Sequence, residues 1–80
     1  MSGYNEVKRE LLALLYDVGK LTSKEAAELL GWGHESAAMA LLRYHRQGLV
    51  SRYTLTGKTR VYELTNRGLE RLEYLQSLRV

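Results

Sequence analysis

The stretch that decides the fold is TSKEAAELLG at residues 22–31, followed after a short turn by LLRYHRQGLV at residues 41–50. Thr22 and Glu25 have the spacing of a capping box, in which each side chain accepts a hydrogen bond from the other residue's backbone amide. Leu21 and Ala26 have the spacing of the hydrophobic staple that accompanies this box. The sequence therefore predicts a helix that begins after Thr22 and ends near residue 31, where glycine favours a break.

A further helix is predicted from about residue 34 to residue 47, after the Gly-Trp-Gly turn at residues 31–33. Its inner face follows the i, i+4, i+7 spacing of an amphipathic helix and consists of Ala37, Leu41 and Tyr44. Gly48 then ends the helix, because glycine adopts the left-handed conformation of a C-terminal cap at little cost.

An amphipathic helix is also predicted before this stretch. Its apolar residues are spaced by three and four and are Tyr4, Val7, Leu11, Leu14, Leu15 and Val18. The charged residues that lie largely off this face are Glu6, Lys8, Arg9 and Glu10. Gly19 ends the helix, and Leu21 is expected to form a very short extended segment.

Two β-prone runs, residues 49–55 and 59–64, follow the central helices and flank Thr56-Gly57-Lys58. A glycine in such a connection indicates a β-hairpin. Thr65 can cap a last helix, whose leucines are Leu69, Leu72, Leu75 and Leu78. The predicted fold is thus a single domain over residues 1–80, mainly α with a small hairpin, in the order helix, short strand, helix, helix, hairpin, helix.

Two short helices joined by a turn, the second leading into a hairpin, describe a helix-turn-helix with a wing. Residues 22–31 and 41–50 resemble the second helix and the end of the recognition helix in the winged-helix superfamily. YELTNRG at residues 62–68 is similar to the strand-to-helix junction of its MarR, PadR and ArsR groups. The resemblance covers roughly residues 4–78, although the cysteine metal sites of ArsR-type sensors are missing. It implies a transcriptional regulator that binds double-stranded DNA sequence-specifically.

The positive charge is concentrated in the middle of the chain. The whole sequence has a formal net charge of +3. Residues 34–60 contain five arginine or lysine residues against the single carboxylate of Glu35, which gives +4. A surface for a polyanion is therefore expected in this segment, which also holds the third helix and the hairpin.

Eight residues are predicted to contact DNA. The third helix would enter the major groove, because an α-helix fits that groove. The residues nearest the bases would be His34, Ser36, Met39 and Arg43. The residues on phosphates or the minor-groove edge would be Arg46, Arg52, Lys58 and Arg60. Met39 and Leu42 are unusually apolar for such a helix, so a winged-helix module that binds another protein without direct DNA readout stays an alternative.

The composition of the sequence argues against several other classes of function. The chain has no cysteine, which excludes disulfides and thiolate zinc sites. His34 and His45 are eleven positions apart on one predicted helix, about three turns, and so cannot share a metal. Without a recognisable nucleophile or carboxylate–histidine pattern, neither an enzyme nor a cofactor is expected. No apolar run has the length of a membrane span, so we expect a cytoplasmic, nucleoid-associated protein with no membrane partner.

A homodimer is the remaining expectation, because a chain this short buries little surface by itself. The leucines of the last helix advance in steps of three and drift around its axis by about 60° per step. They therefore cover more of the helix surface than one small domain can bury. The residues predicted at the dimer interface are Leu12, Tyr16, Tyr74, Leu75 and Leu78.

Overall fold

The computed structural model describes residues 4–55 and 57–78, and for residues 4–6 it describes the backbone alone. Thr56 and the side chain of Tyr4 thus lie outside the described residues. The elements are α1 (Tyr4–Val18), β1 (Lys20–Leu21), α2 (Ser23–Leu30), α3 (His34–Arg46), β2 (Val50–Thr54), β3 (Arg60–Leu64) and α4 (Asn66–Ser77). This order confirms the predicted winged-helix arrangement, with element boundaries that differ by a residue or two.

The described strands form one antiparallel sheet in the order β1-β3-β2. β3 is the central strand and pairs with β2 across the hairpin and with β1 through Leu21 and Tyr62. Residues paired across an antiparallel sheet share a face, so Leu21, Tyr62 and Arg52 lie on the same side. Leu21 and Tyr62 are buried in the core, which means that this side of the sheet faces the helices.

The opposite face of the sheet carries Lys20, Glu63 and Tyr53. The Lys20 ammonium lies 5.7 Å from the centroid of the Tyr53 ring. A hydrogen bond with Tyr53, the phenolate charge of the same residue and the nearby carboxylate of Glu63 raise the pKa of Lys20 above its ordinary value. The Tyr53 side chain therefore contacts Lys20 on the outer face of the sheet, away from the side that faces α3.

The start of α2 is formed as the sequence predicts. The Thr22 Oγ1 accepts a hydrogen bond of 3.1 Å from the Glu25 amide, and the Thr22 amide donates one of 2.9 Å to the Glu25 carboxylate. Gly31 ends the helix with a φ of +71°, and its amide donates to the carbonyl of Ala27. The capping box and the glycine break are both confirmed.

The buried face of α1 differs from the predicted one. It is formed by Lys8, Leu11, Leu12 and Leu15. Val18, expected inside, is 51% exposed, whereas Leu12, expected at a dimer interface, is 0% exposed. With leucines at four of the five positions 11–15, periodicity alone leaves the rotation of this helix undetermined, and packing against the rest of the domain decides it.

The buried residues of α2 are alanines, and those of α4 include two leucines. α2 buries Ala26 and Ala27 and leaves Leu29 60% exposed, because small side chains allow it to lie close to α3. In α4 Leu72 and Leu75 are both buried, each at 2% exposure. Leu75 therefore belongs to the core of the single chain. This burial does not fit the predicted place of Leu75 at a dimer interface, because a residue enclosed in the core of one chain has no surface for a partner.

One junction joins α3, the sheet and α4. The Thr65 Oγ1 donates a hydrogen bond of 2.7 Å to the carbonyl of Gly48, and the Thr65 amide donates one of 3.0 Å to the carbonyl of Leu49. The same Thr65 oxygen caps α4 by accepting from the amide of Gly68 at 3.0 Å. A Cβ atom on Gly68 would lie 2.0 Å from the oxygen of Leu49 and 2.8 Å from a methyl of Leu64. This close approach requires glycine at position 68.

We expect Gly68→Ala to lower the free energy of unfolding by about 1–3 kcal/mol or more, because the added methyl must displace backbone. Urea unfolding followed by circular dichroism measures this. Gly33→Ala is the matched control, since its Cβ would meet only the Ser36 hydroxyl at 4.0 Å. Alanine favours a helix by roughly 1 kcal/mol over glycine, so an unchanged or increased stability of Gly68→Ala would contradict the packing described here.

Candidate nucleic-acid interface

Helix α3 buries one side and exposes a ridge on the other. The predicted inner residues Ala37, Leu41 and Tyr44 are all buried, and Ala40 joins them. At 100° per residue the opposite side carries Glu35, Met39, Leu42 and Arg46. Met39 is 58% exposed, whereas Leu42 is half-buried. This ridge is where α3 can contact a macromolecule.

A basic cleft lies between the hairpin and the start of α2. We call it the wing cleft; its volume is about 420 Å³, and it is lined by Thr22, Ser23, Lys24, Ala38, Lys58, Thr59, Arg60 and Tyr62. Lys58 and Arg60 were predicted at the interface, and here they lie across from the first turn of α2. The amides of a first helical turn have no partner within the helix and favour anions. Three cationic side chains and a helix N-terminus thus converge on one cleft.

Lys24 and Ser23 belong to this cleft although the sequence analysis did not select them. Lys24 is exposed at the second position of α2. In the sequence, Lys24 is one of several charged residues in residues 1–33, a segment whose net charge is negative. Only the fold brings it next to the hairpin. The signal that could have identified it is its place one residue after the capped start of a helix.

His34 connects the two helix starts that border the wing cleft. Its Nε2 lies 3.2 Å from the Oγ of Ser23, so the first residue of α3 contacts the first residue of α2. Both side chains are exposed enough to meet a ligand. His34 therefore lies on the side of α3 that faces the start of α2.

The remaining predicted base-contact residues lie on the other flank of α3. Ser36, Met39 and Arg43 line a hollow of about 580 Å³. The other residues around this hollow are Val7, Trp32, Glu35, Ala40 and Tyr44. Trp32, from the turn between α2 and α3, is half-buried and packs against the core. The structure thus separates His34 from Ser36 and Arg43 by the width of the helix.

The cations of the hairpin share the side of the sheet that faces α3. Arg52 is paired with Tyr62, and Arg60 with Thr54, which places both arginines on that side. Arg60 and Lys58 are exposed and Arg52 is half-buried. Arg46 is exposed in the last turn of α3.

The neighbour of Arg46, His45, lies close enough to the next strand to bond with it. Its Nδ1 is 3.2 Å from the carbonyl oxygen of Val50 in β2. His45 thus links the end of α3 to the hairpin. Among the side chains of residues 7–55 and 57–78, no three from histidine, aspartate or glutamate are grouped so that they could hold a metal. In the same part of the chain, no helix is long and apolar enough to cross a membrane.

Comparisons with known proteins give a consistent fold. No family model matches the sequence, and no curated protein matches it. Solved structures do match: the YusO protein of Bacillus subtilis does so with a TM-score of 0.82 at 22% identity, over 88% of this chain and 51% of that one. Wild-type MarR of E. coli matches with a TM-score of 0.82 at 19% identity, over 90% of this chain and 55% of that one.

A third similar structure contains nucleic acid. A mutant of S. aureus MepR bound to an oligodeoxyribonucleotide matches with a TM-score of 0.81 at 23% identity, over 89% of this chain and 54% of that one. The chain therefore spans about half the length of each of these three structures. At such low identity the likeness establishes the fold alone, which is the winged-helix fold of MarR-family structures.

Proposed function

We propose that this domain binds double-stranded DNA as a sequence-specific transcriptional regulator. The observation that carries the proposal is the wing cleft, where Lys24, Lys58 and Arg60 converge beside the exposed ridge of α3. The fold supports it further, because a similar structure, that of the MepR mutant, is bound to an oligodeoxyribonucleotide.

In the proposed complex, α3 enters the major groove along its exposed ridge. The groove is wide enough for a helix, and residues at the N-terminal end of the helix reach base edges. His34 lies at that end, and Met39 offers an apolar contact for a thymine methyl. Ser36 and Arg43, on the flank of the hollow, would reach the bases or the phosphates on that side of the groove.

The hairpin would hold the DNA backbone or the edge of the minor groove. The side chains assigned to it are Arg52, Lys58 and Arg60, and Arg46 would bind a phosphate from the end of α3. Contacts of this kind fix the position of the protein on the duplex, whereas base contacts provide the sequence preference. The wing cleft adds Lys24 and Ser23 to the residues that would bind phosphate.

We expect Lys58→Ala and Arg60→Ala each to weaken binding to all duplex sequences about equally. Each should also reduce by about 1 the slope of the logarithm of the binding constant against the logarithm of the salt concentration, because one phosphate contact releases fewer counterions. Fluorescence anisotropy titrations of a random-sequence duplex at several salt concentrations measure both quantities.

The matched control for these variants is Arg71→Ala, which removes one exposed cation from α4. Its salt slope should equal that of the unmodified chain. Identical slopes for all three variants would contradict the assignment of Lys58 and Arg60 to phosphate contacts.

The second candidate function is a winged-helix module that binds another protein. The exposed Met39 and the hollow beside it, with Trp32 and Tyr44 in its wall, favour this candidate. It predicts little salt dependence and a loss of partner binding in Met39→Glu. Duplex binding by the unmodified chain that weakens steeply with salt would contradict it, and no duplex binding at low salt would contradict the DNA proposal.

We further propose that the protein forms a homodimer, now through fewer residues than the sequence analysis selected. Tyr74 and Leu78 are 58% and 55% exposed, and their spacing of four places them on one face of α4. Tyr16 is also exposed, at the end of α1 next to the start of α4. Leu12 and Leu75 are core residues and offer no surface to a partner.

Sedimentation equilibrium should give twice the chain mass at micromolar concentration. Leu78→Glu should shift the chain toward the monomer, because the dimer would bury the new carboxylate against apolar surface at its interface. The far-ultraviolet circular dichroism should stay unchanged, since Leu78 is exposed. Gln76→Glu adds the same charge at a neighbouring exposed position and should leave the mass unaltered. A monomer at high micromolar concentration would overturn the dimer.

A further inference from the structure

Lys8 is a buried charged residue in the part of the chain that the structure describes. It is 3% exposed and lies on the core face of α1, one turn before Leu11 and Leu12. Its Nζ donates a hydrogen bond of 3.0 Å to the Oε1 of Gln47. The same ammonium lies 5.3 Å from the centroid of the Tyr44 ring. Both partners belong to the C-terminal end of α3.

Stability alone does not account for a lysine at this position. Removing an ammonium from water costs several kcal/mol, and well-packed apolar residues that replace buried charges often leave a protein equally or more stable. The other buried residues on this face of α1, such as Leu11 and Leu15, are apolar, so Lys8 places a charge on a face that is otherwise apolar. The ammonium therefore needs another explanation, which its contacts with Gln47 and Tyr44 provide.

The contacts of Lys8 hold the last turn of α3 at two points. Tyr44 lies on the buried face of α3. Gln47 caps the C-terminal end of the helix, and its backbone amide donates to the carbonyls of Arg43 and His45. A cation is also favourable beside the negative end of a helix dipole. Lys8 thus connects α1 to α3 through Tyr44 on the side of α3 and through Gln47 at its C-terminal end.

The last turn of α3 also carries Arg43 and Arg46 on its outer sides. A rotation of the helix by about 20° would move side-chain tips that lie roughly 5–6 Å from its axis by about 2 Å. Hydrogen bonds to bases or phosphates tolerate much less than that. The orientation of α3 must therefore be held from the inside if these arginines are to meet fixed positions on a duplex.

We propose that Lys8 is a positioning residue for DNA binding, which holds the C-terminal turn of α3 through Gln47 and Tyr44. The inference rests on the proposed function, because it assigns to Lys8 an effect on duplex affinity without contact with the duplex. A solely structural lysine would affect stability and leave the affinity of the folded protein unchanged.

The test compares Lys8→Met with Lys20→Met in the full chain, at a temperature where circular dichroism shows both to be folded. Each variant removes one positive charge and keeps an unbranched side chain, but Lys20 lies on the outer face of the sheet. Lys8→Met should be at least as resistant to urea as the unmodified chain, yet bind duplex about two- to thirty-fold more weakly, the usual size of coupling through packed residues. Lys20→Met should bind like the unmodified chain.

A second variant and a second measurement keep the test decisive if Lys8→Met is poorly stable. Gln47→Ala removes the acceptor and leaves the lysine, so it should weaken duplex binding in the same direction. The double variant should be no weaker than Lys8→Met, because the two residues act through one hydrogen bond. Amide hydrogen exchange in the last turn of α3 should be faster in Lys8→Met, with exchange in α2 unchanged.

Equal duplex affinity of Lys8→Met and Lys20→Met would overturn the inference while leaving the proposed function intact. Unchanged exchange in the last turn of α3 would overturn it as well, whether or not the protein binds DNA. Failure of the unmodified chain to bind any duplex would instead overturn the proposed function, and with it the role of Lys8 in binding.

Discussion

The close approach of α4 to the backbone at Leu49 is the constraint on which the rest of the fold depends. Because Gly68 has no side chain, the first turn of α4 lies against the carbonyl of Leu49, and the Thr65 hydroxyl bonds to the carbonyl of Gly48 next to it. These contacts fix the direction in which the chain leaves α3 and enters β2. Since β2 pairs with β3 over five residue pairs, they also fix the hairpin relative to α3. The junction between α3, β2 and α4 thus determines how α3 and the hairpin are arranged at the candidate interface, although the side chains of that interface lie elsewhere.

This arrangement gives α3 two chemically different flanks. On one flank, the wing cleft collects cations from α2 and the hairpin around His34 and Ala38. On the other, the hollow is lined by Trp32, Met39 and Tyr44, with Arg43 at its side. A duplex in contact with the ridge between them would meet its phosphates on the basic flank. The more apolar flank is the reason that a protein partner stays the second candidate. On that reading, the exposed Met39 would contact a protein and not a base.

Local signals in the sequence predicted the helix boundaries, whereas packing determined which residues became buried. Thr22, Glu25 and Gly31 act through hydrogen bonds and dihedral angles within a few residues of themselves, so their pattern alone indicates a helix start and stop. Leu12 and Lys8 could not be placed in this way, because the rotation of α1 depends on surfaces contributed by α3 and α4. Lys8 is the clearest case, since a lysine ordinarily signals an exposed position, whereas here its ammonium is buried with a hydrogen bond to Gln47 and the ring of Tyr44 beside it. Lys24 was missed for the related reason that its cationic neighbours in the wing cleft, Lys58 and Arg60, lie more than thirty residues away in the chain.

The central claim is that one face of the domain, made by the start of α2, the outer side of α3 and the hairpin, binds duplex DNA. Amide chemical-shift mapping of the isotopically labelled chain with a random-sequence duplex at low salt tests it most directly, because it locates the contact surface without any substitution. The account predicts perturbed amides at residues 22–24, in α3 and from residue 52 to residue 60, and their return to the free positions as salt is added. Perturbations confined to α1 and α4, or none at low salt, would contradict it.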